Sequence, residues 1–389
     1  MADIAASWMR GGTSKCWVFQ RDELEVPGWS RDDVLLRLFG SPDPRQVDGV
    51  GGGTSTTSKA VIVSPAAAGS GWDVDYTFAQ VAVEAEGVDW GSNCGNCSSV
   101  VGLYAVRNGW VAAVADETVV RVHNTNTGQL IMLQVHTPGG VVDERGSESI
   151  PGVPFPGVGV RMSFVDPGGL TTGALFPSGS VTDVLDGSDG PVEATLIDAG
   201  APVVILLADA VGLTGSETPS EVDARPDVLA LLEDLRRQGA VKMALAPDKA
   251  SAARAIPKLA LVAAASGDDA DLTVRMASMG KLHPALAITG SVALTMAARE
   301  PGSVIAQRMP ALKGEEFRMA TPAGIVTTWT GEHSGAPFVS VLRTTRRLAE
   351  ATLILPDREV TPPAAVSTDK STSSHSSVQR THEGVGGNR

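Results

Sequence analysis

The chain has 389 residues, 43% of them hydrophobic and 19% charged, with 43 glycines and 24 prolines, enough to build the cores of about two domains of ordinary size. Thirty-one Lys and Arg against 44 Asp and Glu leave a formal charge of −13, a field that repels nucleic-acid phosphates and anionic lipid, and an aromatic content of 4% supplies few rings for stacking bases. Three cysteines exclude a disulfide framework.

Residues 1–8 carry no basic leader, and no stretch approaches the roughly 20 apolar residues of a membrane helix, so a cytoplasmic placement is expected. In chain order, residues 17–19 read as a strand, and 32–39 set Val34, Leu35, Leu38 and Phe39 at helical spacing. A turn cluster at 40–44 is followed by a loop over 47–58, nearly all Gly, Ser, Thr and Val. It hands directly to Lys59 and the apolar run 60–63.

Residues 73–83 alternate as a strand, and 98–106 form a short helix carrying Val100, Val101, Leu103, Tyr104 and Val106. Between them lies Asn93-Cys94-Gly95-Asn96. Strands at 119–123, 129–135, 158–164 and 194–197 make the first half mainly β. Residues 221–238 predict one amphipathic helix with a leucine stripe, and 258–263 a strand.

Residues 279–298 pass from Gly280-Lys281-Leu282-His283-Pro284 through Thr289-Gly290-Ser291 into an Ala-rich helix. This echoes the loop-then-helix plan around Cys94 and points to two structurally similar halves. Beyond residue 357 the composition turns to Ser, Thr and Gly, which predicts a disordered tail.

A cysteine just ahead of a helix meets unpaired N–H groups and the macrodipole, which favour a thiolate and can also hold a carboxylate. The plain alternative makes Cys94 and Cys97 small core residues, and zinc lacks a second pair of ligands at suitable spacing. Lys59, at the mouth of a buried strand, is placed for desolvation to lower its pKa toward base duty, unless it snorkels to water. Residues 9–15 offer Arg10, two glycines, Thr13 and Ser14, a set that binds carboxylate or phosphate oxygens without P-loop spacing. Salt bridging and turn formation are the alternatives there. His283 is either a ligand or bonded to the backbone. Arg343 and Arg346 on the last core strand either bind substrate carboxylates or pair with acids.

With those segments in view, the chain resembles the PrpF family, which includes methylaconitate isomerase, methylitaconate isomerase and oxalomesaconate tautomerase. The resemblance covers about residues 9–357. It rests on Met9-Arg10-Gly11-Gly12-Thr13-Ser14-Lys15, the 40–44 turn, residues 48–59 ending in Thr57-Ser58-Lys59, and residues 91–99 around Cys94. Weaker matches are Phe176-Pro177-Ser178-Gly179, Asp198-Ala199-Gly200-Ala201-Pro202 and 278–283.

The resemblance implies an α+β fold of two similar diaminopimelate-epimerase-like domains. Each is a curled, mainly antiparallel sheet around a central helix, with the active site in the cleft between them. The domains fall at 1–185 and 186–358, with the last strands free to return to the first, and 359–389 is the tail. Lys59 and Cys94 carry over as the acid/base pair, their order open, with the helix end leaning toward Cys94 as the thiolate. Arg10, Thr13, Ser14, Gly95, Asn96 and His283 carry over as substrate-binding positions, and Thr289 and Gly290 join them at the matching turn of the second half.

That turn, 287–291, holds no cysteine, which argues against two-cysteine racemisation. Thr321-Pro322-Ala323-Gly324 stands where the family commonly has His-Pro-Ser-Gly. The implied activity is a cofactor-independent, metal-free isomerase that shifts or rotates the C=C bond of a small unsaturated di- or tricarboxylate. A keto–enol tautomerase of an oxalomesaconate-like acid and a non-catalytic tricarboxylate-binding accessory are the alternatives. The expected partner is the small polycarboxylate, with no nucleic acid and no membrane, and a homodimer is left open.

Overall fold

The computed structural model describes residues 1–91, 93–309 and 312–358; the expected tail lies outside them. The first half contributes β1 (Ala2–Gly11), β2 (Ser14–Gln20), β3 (Lys59–Pro65), β4 (Val74–Val81), β5 (Val88–Asp89), β6 (Asp116–Asn124), β7 (Leu130–Thr137) and β8 (Val158–Val165), with helices α1 (Arg31–Phe39) and α2 (Gly95–Arg107). The second contributes β9 (Asp183–Gly187), β10 (Gly190–Ala199), β11 (Ala201–Leu207), β12 (Lys258–Ala264), β13 (Leu272–Ser278), β14 (Lys281–Leu282), β15 (Glu316–Thr321), β16 (Gly324–His333) and β17 (Ala336–Leu355), with α3 (Pro219–Asp223), α4 (Pro226–Lys242) and α5 (Ile288–Arg299).

The pairing pattern repeats. Strands β1 to β4, β6 and β7 pair in turn as antiparallel, parallel, antiparallel, parallel, antiparallel, and β10 to β13, β15 and β16 follow the same order. A helix crosses between the parallel strands in each half, α1 in one and α3 with α4 in the other. The central helix follows the fourth strand in both.

The long β17 serves both halves. It pairs with β16 at one end, then with β8, and finally with β1, so it closes the first half into a ring around α2 while the second half remains an open curl around α5. Enclosure demands small residues. Every residue of α2 from Gly95 to Val106 is buried, and a Cβ at Gly102 would stand 2.7 Å from the Val135 side chain, so the ring has room for a helix only where it lacks a side chain.

Three expectations need correction. Residues 2–11, not expected as a strand, form β1. The single helix expected over 221–238 is two, α3 and α4, broken where Pro226 takes the first helical position, which suits a residue with no N–H to give. The helix also runs past 238 to Lys242. Among the described residues, no helix is long and apolar enough to cross a membrane.

Candidate active site

The repeat brings equivalent ends of the two halves together. Helices α2 and α5 start against one another, so closely that a Cβ on Gly95 would lie 2.8 Å from the Cβ of Ile288. Neither N-cap residue, Cys94 or Ala287, caps its helix with a side-chain hydrogen bond. Both helix starts thus lack a capping side chain at the N-cap, and both dipoles favour an anion at the same place. A cavity of about 300 Å³ lies over these two ends, lined by residues of both halves. That is at the small end of ligand pockets.

Lys59, the first residue of β3, is 8% exposed. Its Nζ donates to Gln80 Oε1 at 2.6 Å and stands 5.0 Å from the centre of the Phe78 ring. Gln80 is itself held, since its Nε2 donates to the Ser58 carbonyl at 2.9 Å. The strand register sets Lys59 opposite Gln80, so the ammonium is aimed by two neighbouring strands and does not snorkel away.

Cys94 is half-buried and faces the same cavity. The surroundings of Cys94 work against the thiolate that the helix end favours. Interaction with the Cys97 thiol, and then burial, push the Cys94 thiol well above the ordinary cysteine value, and the Lys59 charge offsets this only in part. Cys97 is raised too, by burial first and by Cys16 second. A helix end worth about 1 kcal/mol works against the desolvation of a charge, and the balance at Cys94 runs toward the thiol form.

Ser14, Gly95, Asn96, His283 and Thr289 line the cavity with this pair. His283 is neutral: burial first, then the charges of Lys59 and Lys258, push it down to about 4. Its Nδ1 accepts the Ala285 N–H at 3.0 Å, which leaves the Nε2–H as its donor.

Thr13, Arg10 and Gly290 lie outside the lining. Thr13 Oγ1 accepts from Asn96 Nδ2 at 3.1 Å and so holds a lining residue in place. Gly12, at φ +50°, lets Asn96 come close, for a Cβ there would be 2.0 Å from Asn96 Oδ1. Arg10 turns to the backbone, its Nη1 donating to the carbonyls of Gly12 and Thr344 at 3.1 and 3.0 Å. It fastens the 11–13 turn to β17. Gly290 packs on Met276. Arg343, buried and lowered to about 9 by that burial, gives its Nη1 to the Leu342 carbonyl and does not line the cavity either.

The sequence reading missed Gln80, Asp89 and Lys258, all in the lining. For Lys258 a signal existed: Lys258 and Lys59 are each followed by four apolar residues at the start of a strand, and both strands show the same inside-outside order. Among the described residues, no group of three or more His, Cys, Asp or Glu side chains is placed to share a metal ion.

Comparison with known proteins gives concordant results. Residues 1–356 match the family described as PrpF protein. The chain is 36% identical over 359 residues to 3-methylitaconate isomerase of Eubacterium barkeri, spanning 88% of this chain and 94% of that protein. It is 38% identical over 348 residues to 2-methyl-aconitate isomerase of Shewanella oneidensis (82% and 87%), and 37% identical over 350 residues to 4-oxalomesaconate tautomerase of Pseudomonas putida (89% and 94%). Among solved structures, a methylitaconate-delta-isomerase superimposes with TM-score 0.78 at 34% identity, over 93% of this chain and 99% of that one. A probable proline racemase from Agrobacterium radiobacter shares the fold alone, with TM-score 0.56 at 14% identity over 92% and 94% of the two chains. The fold is of the diaminopimelate-epimerase type, as expected.

Proposed function

The chain belongs to the PrpF family and is an isomerase, and from that premise we propose that it moves the C=C bond of a small unsaturated polycarboxylate using Lys59 and Cys94. The cavity lies between a first unit, residues 1–185 completed by the returning β17, and a second, the rest of 186–358. Relatives named for methylitaconate and methylaconitate support this substrate class.

The reaction removes a proton γ to a carboxyl group, spreads the charge as a dienolate, and returns a proton at another carbon. A carbon acid this weak needs its developing charge met by groups already in place. The two helix ends and the Nε2–H of His283 supply donors for it.

The observation that carries the reading is the placement of Lys59 and Cys94 on one small cavity where two uncapped helices converge. With Cys94 held toward its thiol form it is the proton donor, and Lys59, oriented by Gln80, accepts as the free amine after its ammonium has given a proton to solvent. One turn leaves a Cys94 thiolate and a Lys59 ammonium, which a single proton transfer between them resets. No step calls for an external oxidant or reductant.

A tautomerase is the second reading, favoured by the 37% identical relative of that name; the same pair moves a proton from carbon to carbon next to a 2-oxo group. The test is incubation with methylaconitate-, itaconate- and oxalomesaconate-type acids, reading products by proton NMR. A shifted double bond that Cys94→Ser abolishes supports the isomerase. Conversion of only the 2-oxo acid selects the tautomerase, and turnover undiminished in Cys94→Ser contradicts the assigned pair.

A further inference from the structure

The second half presents a buried lysine of its own. Lys258 is 7% exposed, lines the same cavity as Lys59 and Cys94, and is the first residue of β12 as Lys59 is of β3. The repeat makes the two lysines equivalent, but their surroundings differ.

Lys59 has Gln80 opposite it. Extending the Leu259–Ala277 register by one residue sets Lys258 opposite Ser278, which lacks the reach of a glutamine amide. Among the described residues, no carboxylate, carbonyl or hydroxyl accepts a hydrogen bond from Lys258 Nζ, and no acid forms an ion pair with it.

A buried ammonium without a partner is costly, and a structural lysine finds an acid or reaches water. Burial first, then the charge of Lys59, lower Lys258 to about 8, with Cys94 and Asp89 acting the other way, so it is still mainly charged at neutral pH. The lining as a whole carries three lysines, Lys59, Lys258 and Lys281, against one carboxylate, Asp89.

We propose that Lys258 anchors a carboxylate of the ligand from the second half, opposite the proton-transfer pair. It thereby sets the site's demand for an acid with carboxylates reaching both halves. This inference rests on the isomerase reading for its substrate class, but its test does not require turnover.

The probe is tricarballylate, a saturated tricarboxylate with no double bond to move, titrated by calorimetry at pH 7 into the full chain and into Lys258→Met and Lys258→Arg. A charge-assisted hydrogen bond of ordinary strength predicts a Kd weakened about 10- to 100-fold in Lys258→Met. Lys258→Arg, which keeps the charge, is expected within about fivefold of the parent. With whichever unsaturated acid turns over, the loss in Lys258→Met falls on KM rather than kcat.

Thermal melts of each variant report that the chain is folded. Equal Kd in parent and Lys258→Met, no binding of tricarballylate by the parent, or a large fall in kcat at unchanged Kd would each overturn the anchor. Lys258-dependent binding by a chain that isomerises none of the acids would instead overturn the isomerase reading and leave the anchor standing.

Discussion

Replacing Lys258 by methionine is expected to stabilise the ligand-free protein. Methionine keeps the unbranched length and removes the charge. The fall from 10.5 to about 8, at about 1.4 kcal/mol per pKa unit, corresponds to roughly 3 kcal/mol spent in keeping the ammonium buried. For a chain of this size, 1 kcal/mol moves the melting midpoint by roughly 1–2 °C, so the variant should melt about 3–7 °C higher at pH 7.

The pH dependence has a definite sign. Between pH 8 and 10.5 the unfolded chain holds a proton on Lys258 that the folded chain has released, so the parent gains stability as pH rises through that window. Below pH 8 both states are charged and the penalty is full. The advantage of Lys258→Met is thus greatest at or below pH 8 and shrinks toward pH 10. The assay is a pair of melts, parent and variant, at pH 7 and pH 10, without ligand. A Lys258→Met protein that melts lower than the parent at pH 7 would refute the reasoning, because it would show the ammonium to be paired inside the fold.

Three other substitutions or conditions have expected outcomes. Gly95→Ala drives a methyl into Ile288 at the junction of the two helix ends, an overpacking cost of about 1–3 kcal/mol, and denaturant titration should find it together with a fall in kcat/KM. Gln80→Leu takes away the acceptor that aims Lys59; steady-state kinetics should record kcat down about tenfold with KM little changed, the order of one lost hydrogen bond to a charged group. Because His283 is lowered to about 4, its imidazole should add no inflection to kcat/KM between pH 5.5 and 7.5. Since the unfolded chain protonates this histidine first, its contribution makes stability fall as pH drops from 6.5 toward 4.

The local elements were legible where periodicity or small-residue runs were strong. The helix of 32–39, the strand after Lys59 and the loop-then-helix segments at Cys94 and at 279–298 all sit where their residues place them, and the echo between those segments reflects a real repeat of pairing order. Residues 2–11 escaped because a strand held between β2 and β17 owes its form to partners far along the chain. Pro226 carried a breaking signal that the leucine stripe after it obscured.

The site was legible in its residue types and less so in their states. A thiol at a helix end reads as a thiolate until the burial around Cys94, Cys97 and Cys16 is known. Arg10 reads as a substrate cation until its guanidinium is seen bonded to Thr344, 334 residues away. Lys258 lacked the loop that drew notice to Lys59, and only the folded repeat makes the two equivalent.

The most direct test of the central claim is a proton NMR time course in D₂O with a methylaconitate-type acid, comparing the parent with Cys94→Ser. The account predicts deuterium at the allylic carbon that gains a hydrogen as the double bond moves, with both label and shift lost in the variant. A shifted double bond formed equally well by Cys94→Ser, or no exchange and no shift with any unsaturated polycarboxylate, would contradict it.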